Sequence, residues 1–191
     1  MKWQTLGEAL PRTRNPLTRF IGRGVFRLLG WRIEGEVPNR SKMVVALVPH
    51  TSNMDFIVTI AVLWGLGLQS AFMMKRSLFW FPLGRVLSAL GGMPVDRSAA
   101  NGLVQHMSTE FARRSQLILG ITPEGTRGAV SDFKLGFARI AQSARVPVLP
   151  AVLNYETCVV RFGELIEDVS DVAITVVKIR DAAMLGMPKN R

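Results

Sequence analysis

The chain is poor in the residues on which several kinds of chemistry depend. Its one cysteine, Cys158, cannot close an intrachain disulfide, and the composition fits a reducing compartment. The two histidines, His50 and His106, are distant in sequence, and with a single thiol they cannot assemble a usual zinc site. There is one tyrosine, and basic residues do not interleave with aromatics as they do in single-strand nucleic-acid binders. No Gly-x-Ser-x-Gly elbow, P-loop or Gly-x-Gly-x-x-Gly fingerprint occurs, which disfavours a serine hydrolase of that type and the common nucleotide folds. The longest apolar stretch, Phe56 to Leu68, carries Thr59 and two glycines. It is shorter than the roughly 18–20 residues of a spanning helix. Gly7 to Pro16 is polar and contains proline, so the start of the chain lacks the apolar core of a secretory signal peptide.

What is present is apolar mass and positive charge. Apolar residues make up 48% of 191 residues, enough for one folded domain with a sizeable core. The net charge of +10 attracts polyanions: nucleic acid, anionic lipid or a phosphorylated metabolite. Residues 1–15 are polar and basic and are expected to be mobile. From Pro16 to Gly30, Leu17, Phe20, Ile21, Val25, Leu28 and Leu29 recur at helical spacing. Arg19, Arg23 and Arg27 stand four apart on another face, as in helices that lie in a headgroup layer or equally in surface helices packed on a core with solvated arginines. Gly22 and Gly24 weaken that helix. Residues 1–38 are therefore set apart as a basic segment with an amphipathic helix and a candidate membrane contact, and 39–187 as the main domain.

From Pro38 onward strand and helix patterns alternate. Strands are expected at Met43–Val48, Ser70–Met74, Gly92–Val95, Leu117–Ile121 and Val146–Leu153. Two late strands, Val159–Leu165 and Val172–Ile179, read as antiparallel candidates. Helices are expected at Asn53–Leu68, Pro82–Leu90, from an N-cap at Ser98 through Arg114, and at Leu135–Ala144. This alternation predicts an α/β class: a single layered domain whose mostly parallel, mixed central sheet is flanked by helices.

The polar residues of interest fall at the ends of those strands. His50 follows the first, Lys75 the second, Asp96-Arg97 the third, and Glu124-Gly125-Thr126-Arg127 the fourth. In open α/β sheets the carboxyl ends of strands line the binding crevice. Parallel neighbours would thus collect an imidazole, carboxylates and three cations (Lys75, Arg97, Arg127) in one place. His50 and Asp55, five steps apart, lie roughly 140° apart on a regular helix. His50 is therefore expected in the turn, and Asp55 in the first helical turn, where the positive helix end keeps a carboxylate ionised. An imidazole oriented by a carboxylate is a minimal general base. No activated nucleophile accompanies the pair, so the simplest chemistry is deprotonation of a hydroxyl brought by the substrate. Each residue also has an ordinary reading: His50 as a core or surface histidine, Asp55 as a helix-start acid, the arginines as solvated charges. Co-occurrence at successive strand ends favours the site.

The ordered set resembles the glycerolipid acyltransferase family, whose type members are 1-acylglycerol-3-phosphate acyltransferases. The four blocks that carry the resemblance are His50-x4-Asp55, Val95-Asp96-Arg97, Glu124-Gly125-Thr126-Arg127 and Val146-Pro147-Val148-Leu149-Pro150, over roughly residues 40–155. The length and the Pro49-His50-Thr51-Ser52-Asn53 context look like a compact bacterial glycerol acyltransferase branch. The resemblance implies transfer of an acyl group from an acyl-CoA or acyl carrier protein thioester to a hydroxyl of a lysophospholipid such as 1-acylglycerol-3-phosphate, with no cofactor and no metal. His50 would take the hydroxyl proton and Asp55 orient it. Lys75, Arg97, Glu124, Gly125, Thr126 and Arg127 would bind the acceptor. The work would take place peripherally, on the cytoplasmic face of an anionic membrane. Two features depart from the family: Ser77 stands where members often carry glutamate, and Pro94 precedes Val95 where an aromatic-rich segment is common. Two other classes compete, a basic nucleic-acid-binding module and a lipid-binding protein without transferase activity. The missing signatures disfavour nucleic acid as a partner.

Overall fold

The computed structural model describes residues 3–13, 15–95, 100–124 and 133–189. Along the chain come α1 (Pro16–Leu28), β1 (Arg32–Glu34), β2 (Lys42–Val48), α2 (Asn53–Leu66), β3 (Ala71–Lys75), a single 3-10 turn (Arg76–Leu78) and α3 (Leu83–Ala89). Then follow β4 (Gly92–Val95), α4 (Ala100–Arg113), β5 (Leu117–Ile121), α5 (Gly136–Ala144), β6 (Val148–Asn154), β7 (Val159–Phe162) and α6 (Val172–Ala183). Among the described residues the strands form one seven-stranded sheet in the order β1-β7-β6-β2-β5-β3-β4. All neighbours are parallel except β6 and β7. The expected single α/β domain with a mostly parallel mixed sheet is therefore what the chain builds.

β2 lies at the centre, between β5 and β6, which explains its unbroken apolar run. A parallel strand covered on both faces has no polar side to present. Alternate β2 residues feed two apolar layers. Val44, Ala46 and Val48 pack with Met107 and Phe111 of α4, Phe137 and Ile140 of α5, and Val176 and Ile179 of α6. Met43, Val45 and Leu47 face α1 and α2. α2 is apolar almost all round because it is sandwiched between the sheet and α1.

Three expectations are corrected. Residues 3–13 are packed rather than loose. Leu6 and Leu10 are buried with Phe26 and Trp31, Gln4 bonds both backbone groups of Val37, and the backbone of Thr13 and Pro11 bonds to Gly67 and Gln69. Gly22 does not weaken α1 but permits its packing: a Cβ there would lie 2.6 Å from the Gly65 nitrogen of α2. Val172–Ile179 is helical, not a strand. Its β-branched residues suit a strand locally. However, the Asp171 side chain accepts from the N–H groups of Ala173 and Ile174, and Thr175, Val176 and Ile179 turn inward at helical spacing. Burial of that face overrides propensity. The short edge strand β1, three residues long, carries no pattern that sequence reading could detect.

Candidate active site

The carboxyl end of β2 runs through Pro49 into His50, and Ser52 then caps α2. The Ser52 hydroxyl accepts from the Met54 N–H at 3.1 Å, and Asp55 reaches back to the Ser52 N–H at 2.8 Å. This reciprocal cap fixes the turn and places Asp55 at the positive end of the helix. As expected, His50 lies in the turn and Asp55 in the first helical turn.

Asp55 is fully buried, and its carboxylate is heavily solvated by protein groups. Oδ2 accepts from the N–H groups of Thr51 and Ser52 at 2.7 and 2.8 Å. Oδ1 accepts from the Ser52 hydroxyl at 3.0 Å and from the Tyr155 hydroxyl at 2.5 Å. Burial alone would push this acid up. The His50 imidazole, the Tyr155 hydroxyl and the two backbone donors outweigh it and hold the carboxyl at about 2. Asp55 is therefore ionised at neutral pH.

The His50 Nδ1 lies 3.3 Å from the Asp55 Oδ2. The nitrogen is enclosed, yet it is not aligned with any acceptor as a formed hydrogen bond. The nearby carboxylate oxygen is the partner that a small ring rotation would engage; catalytic hydrogen bonds are often loose before substrate binds. With Nδ1 turned to Asp55, the opposite edge of the ring, with Nε2, is left for the cavity that His50 lines.

Glu124 arrives from the end of β5, next to β2 in the sheet. It is buried, and its Oε2 accepts from the His50 backbone N–H at 2.9 Å. Burial raises its pKa, and the nearby Asp55 charge adds to this. The His50 N–H and imidazole oppose the shift without cancelling it. Glu124 thus braces the turn that carries the imidazole, a contact that the sequence does not reveal.

Tyr155 is the residue that sequence reasoning missed. It follows the end of β6, the other neighbour of β2, and crosses to Asp55 from a hundred positions away. Burial and its donation to Asp55 both push the phenol upward, so it stays protonated and acts as a donor. An edge contact with Trp31, 4.8 Å between ring centroids, holds the ring in place. One signal could have found it: the chain's lone tyrosine stands at the end of a strand, where the other polar groups gather.

Beside the pair opens a cavity of about 1090 Å³ with mostly apolar walls. β3 and β5 pair only at Ala71–Leu119 and Phe72–Gly120, so their carboxyl ends separate. The cavity passes between them, from Phe56 and Ile57 of α2 on one face to Leu103 of α4 and Phe137 of α5 on the other. Lys75, at the end of β3, lines it and is exposed. The structure thus brings together His50, Asp55 and Glu124, with Lys75 on the same cavity. Arg97, Gly125, Thr126 and Arg127 lie outside the described residues. Among the described residues no cluster of three metal-binding side chains occurs, and no helix is long and apolar enough to cross a membrane.

A family model described as Acyltransferase matches residues 31–154. The 1-acyl-sn-glycerol-3-phosphate acyltransferase of Cocos nucifera is 29% identical over 141 residues, covering 67% of this chain and 44% of that protein. The enzyme of the same description from Limnanthes alba is 28% identical over 150 residues, covering 75% of this chain and 52% of that one. The chain thus spans about half the length of these curated relatives. The crystal structure of the 1-acyl-sn-glycerophosphate acyltransferase PlsC from Thermotoga maritima superposes with a TM-score of 0.58 at 21% identity, over 92% of this chain and 79% of that one, and so shares its fold. With the family model covering most of the sheet and the turn that carries His50 and Asp55, the chain belongs to the acyltransferase family.

Proposed function

We propose that the protein is an O-acyltransferase that moves a fatty acyl group from a thioester, acyl-CoA or acyl carrier protein, to the free hydroxyl of a lysophospholipid such as 1-acylglycerol-3-phosphate. The observation that carries this reading is the imidazole of His50, backed by the ionised, buried Asp55 at the mouth of a large apolar cavity. The acceptor hydroxyl gives its proton to Nε2 as its oxygen forms a bond to the thioester carbonyl carbon. The tetrahedral intermediate expels the thiolate, the carbon–sulfur bond breaks, and the imidazolium returns the proton to sulfur. Asp55 stabilises the imidazolium without taking the proton itself. No acyl-enzyme forms, and the chemistry needs no cofactor beyond the thioester. General-base help of this kind contributes about 10²–10⁴-fold in rate. Lys75 would meet the acceptor's phosphate, joined, on the family resemblance, by Arg97, Gly125, Thr126 and Arg127, while Glu124, which the resemblance also assigns to the acceptor, is buried and bonded to the His50 N–H and would act by holding that turn. The apolar cavity suits an acyl chain.

The acceptor is a lipid, and α1 supports a peripheral position on an anionic membrane. Leu17, Phe20, Ile21 and Leu28 form one exposed apolar stripe, with Leu28 87% and Phe20 77% exposed, and Arg19 and Arg27 are exposed on the same helix, whereas Arg23 turns to α2 and donates to the Gly65 carbonyl. The test is thiol release from acyl-CoA and from acyl carrier protein, with and without a panel of lysophospholipids. The reading expects release that requires the acceptor and yields the diacyl product. Release at the same rate without acceptor would make the protein a thioesterase, and none on any acceptor would leave a lipid-binding protein.

A further inference from the structure

The segment from Leu78 to Val86 is exposed where a chain of this size would be expected to hide it. Phe81 is 73% exposed, Trp80 59%, Val86 55% and Leu78 44%. None of the other three tryptophans is exposed: Trp31 is buried, and Trp3 and Trp64 are partly covered. Leu78 and Leu87 line the cavity, so this patch borders its mouth. Arg85 lies 5.1 Å from the centre of the Phe81 ring, and Lys75 and Arg76 are exposed just before the patch.

The topology places this patch on the same side as α1. β2, β3 and β4 step in one direction across the sheet, and right-handed crossovers put α2 and α3 on one face. Phe56 of α2 meets Phe72 of β3 on that face, and α1 packs on α2 through Gly22. The charge near the patch in sequence is positive, from Lys75, Arg76 and Arg85. From Phe56 to Val95 there is no acidic residue at all.

We propose that Leu78–Val86 is a second lipid-contacting element, which inserts Trp80 and Phe81 into an anionic bilayer surface and presses the cavity mouth against it. An exposed aromatic pair with Arg85 against the Phe81 ring, in a stretch of sequence that holds cations and no acid, matches the chemistry of such a surface. The contact deepens the acyltransferase reading, because it gives a lysolipid a short path from the bilayer to His50. It does not depend on α1, whose apolar stripe is a separate patch.

The test uses the full chain with phosphatidylglycerol-containing vesicles and with neutral phosphatidylcholine vesicles, each with and without brominated acyl chains. Brominated anionic vesicles are expected to quench tryptophan emission in the wild type, and Trp80→Phe is expected to lose most of that quenching while still sedimenting with the vesicles. Phe81→Asp is expected to weaken binding to anionic vesicles about ten-fold or more, since an aromatic ring that the bilayer would take up becomes a negative charge. It should nevertheless keep wild-type turnover on a short-chain lysolipid below its micelle concentration. Unchanged quenching in Trp80→Phe, or wild-type vesicle binding by Phe81→Asp, would overturn the proposal. So would a change from dimer to monomer in Phe81→Asp with no effect on vesicles, which would assign the patch to a second copy of the chain. A wild type that transfers no acyl group would end the catalytic reading, whereas the vesicle measurements would still decide this one.

Discussion

Replacing Tyr155 with phenylalanine removes a single hydroxyl and tests how Asp55 is held. The phenol donates to Oδ1 at 2.5 Å, and the ring's contact with Trp31 survives the change. A hydrogen bond to a charged group contributes about 1.5–3 kcal/mol, so Tyr155→Phe should destabilise the fold by about that amount at pH 7. The pH dependence has a defined sign. Asp55 sits at about 2 in the folded chain against an ordinary value of 3.8. A depressed acid contributes stability that is present above the unfolded value and lost as pH falls through the folded one. The full shift corresponds to about 2 kcal/mol. Without the phenol the folded pKa rises, so the mutant has less to lose on acidification. The stability gap between wild type and Tyr155→Phe should therefore shrink as pH falls from 4 toward 2. Asp55 stays ionised at pH 7 in either protein, so turnover should fall by less than about ten-fold. Urea unfolding at a series of pH values, with kinetics on the same samples, measures both effects. A gap below about 0.5 kcal/mol at pH 7, or one that stays constant or widens on acidification, would refute this account of Asp55.

Two further substitutions test the scaffold. Glu124→Gln keeps an oxygen to accept the His50 N–H but removes a buried acid whose pKa is raised. A raised acid loses stability as pH climbs above its unfolded value, so the variant should melt at or above the wild-type temperature at pH 7; a marked drop would show that the charge itself is needed. Gly22→Leu should cost about 1–3 kcal/mol by thermal or urea unfolding, because α1 cannot approach Gly65 with a side chain in between; a neutral result would mean that α1 is not seated on α2 as described.

The centre of the site was legible because its geometry is local. The spacing of His50 and Asp55 excludes a shared ideal helix, which placed one in the turn and the other at the helix start, as the capped turn of α2 does. Glu124 could be grouped with them because β2 and β5 both end there, but its bond to the His50 backbone needs coordinates. Tyr155 was illegible as a partner of Asp55 because nothing within β6 announces that it lies beside β2; that adjacency comes from the crossover order of the sheet. The same limit explains α6, where the β-branched run reads as strand until the inward face of Val176 and Ile179 is seen against the core. It also explains the N-terminal residues, whose Leu6 and Leu10 are too sparse to form a pattern yet fill a gap beside Phe26.

The most direct measurement is the pH profile of kcat/KM for acyl transfer by the wild type and by His50→Gln, on samples shown by circular dichroism to be folded. If His50 draws the proton from the incoming hydroxyl, the variant should lose about 10²–10⁴-fold and its profile should lose the acidic limb. Turnover within ten-fold of the wild type, with that limb intact, would place the base elsewhere.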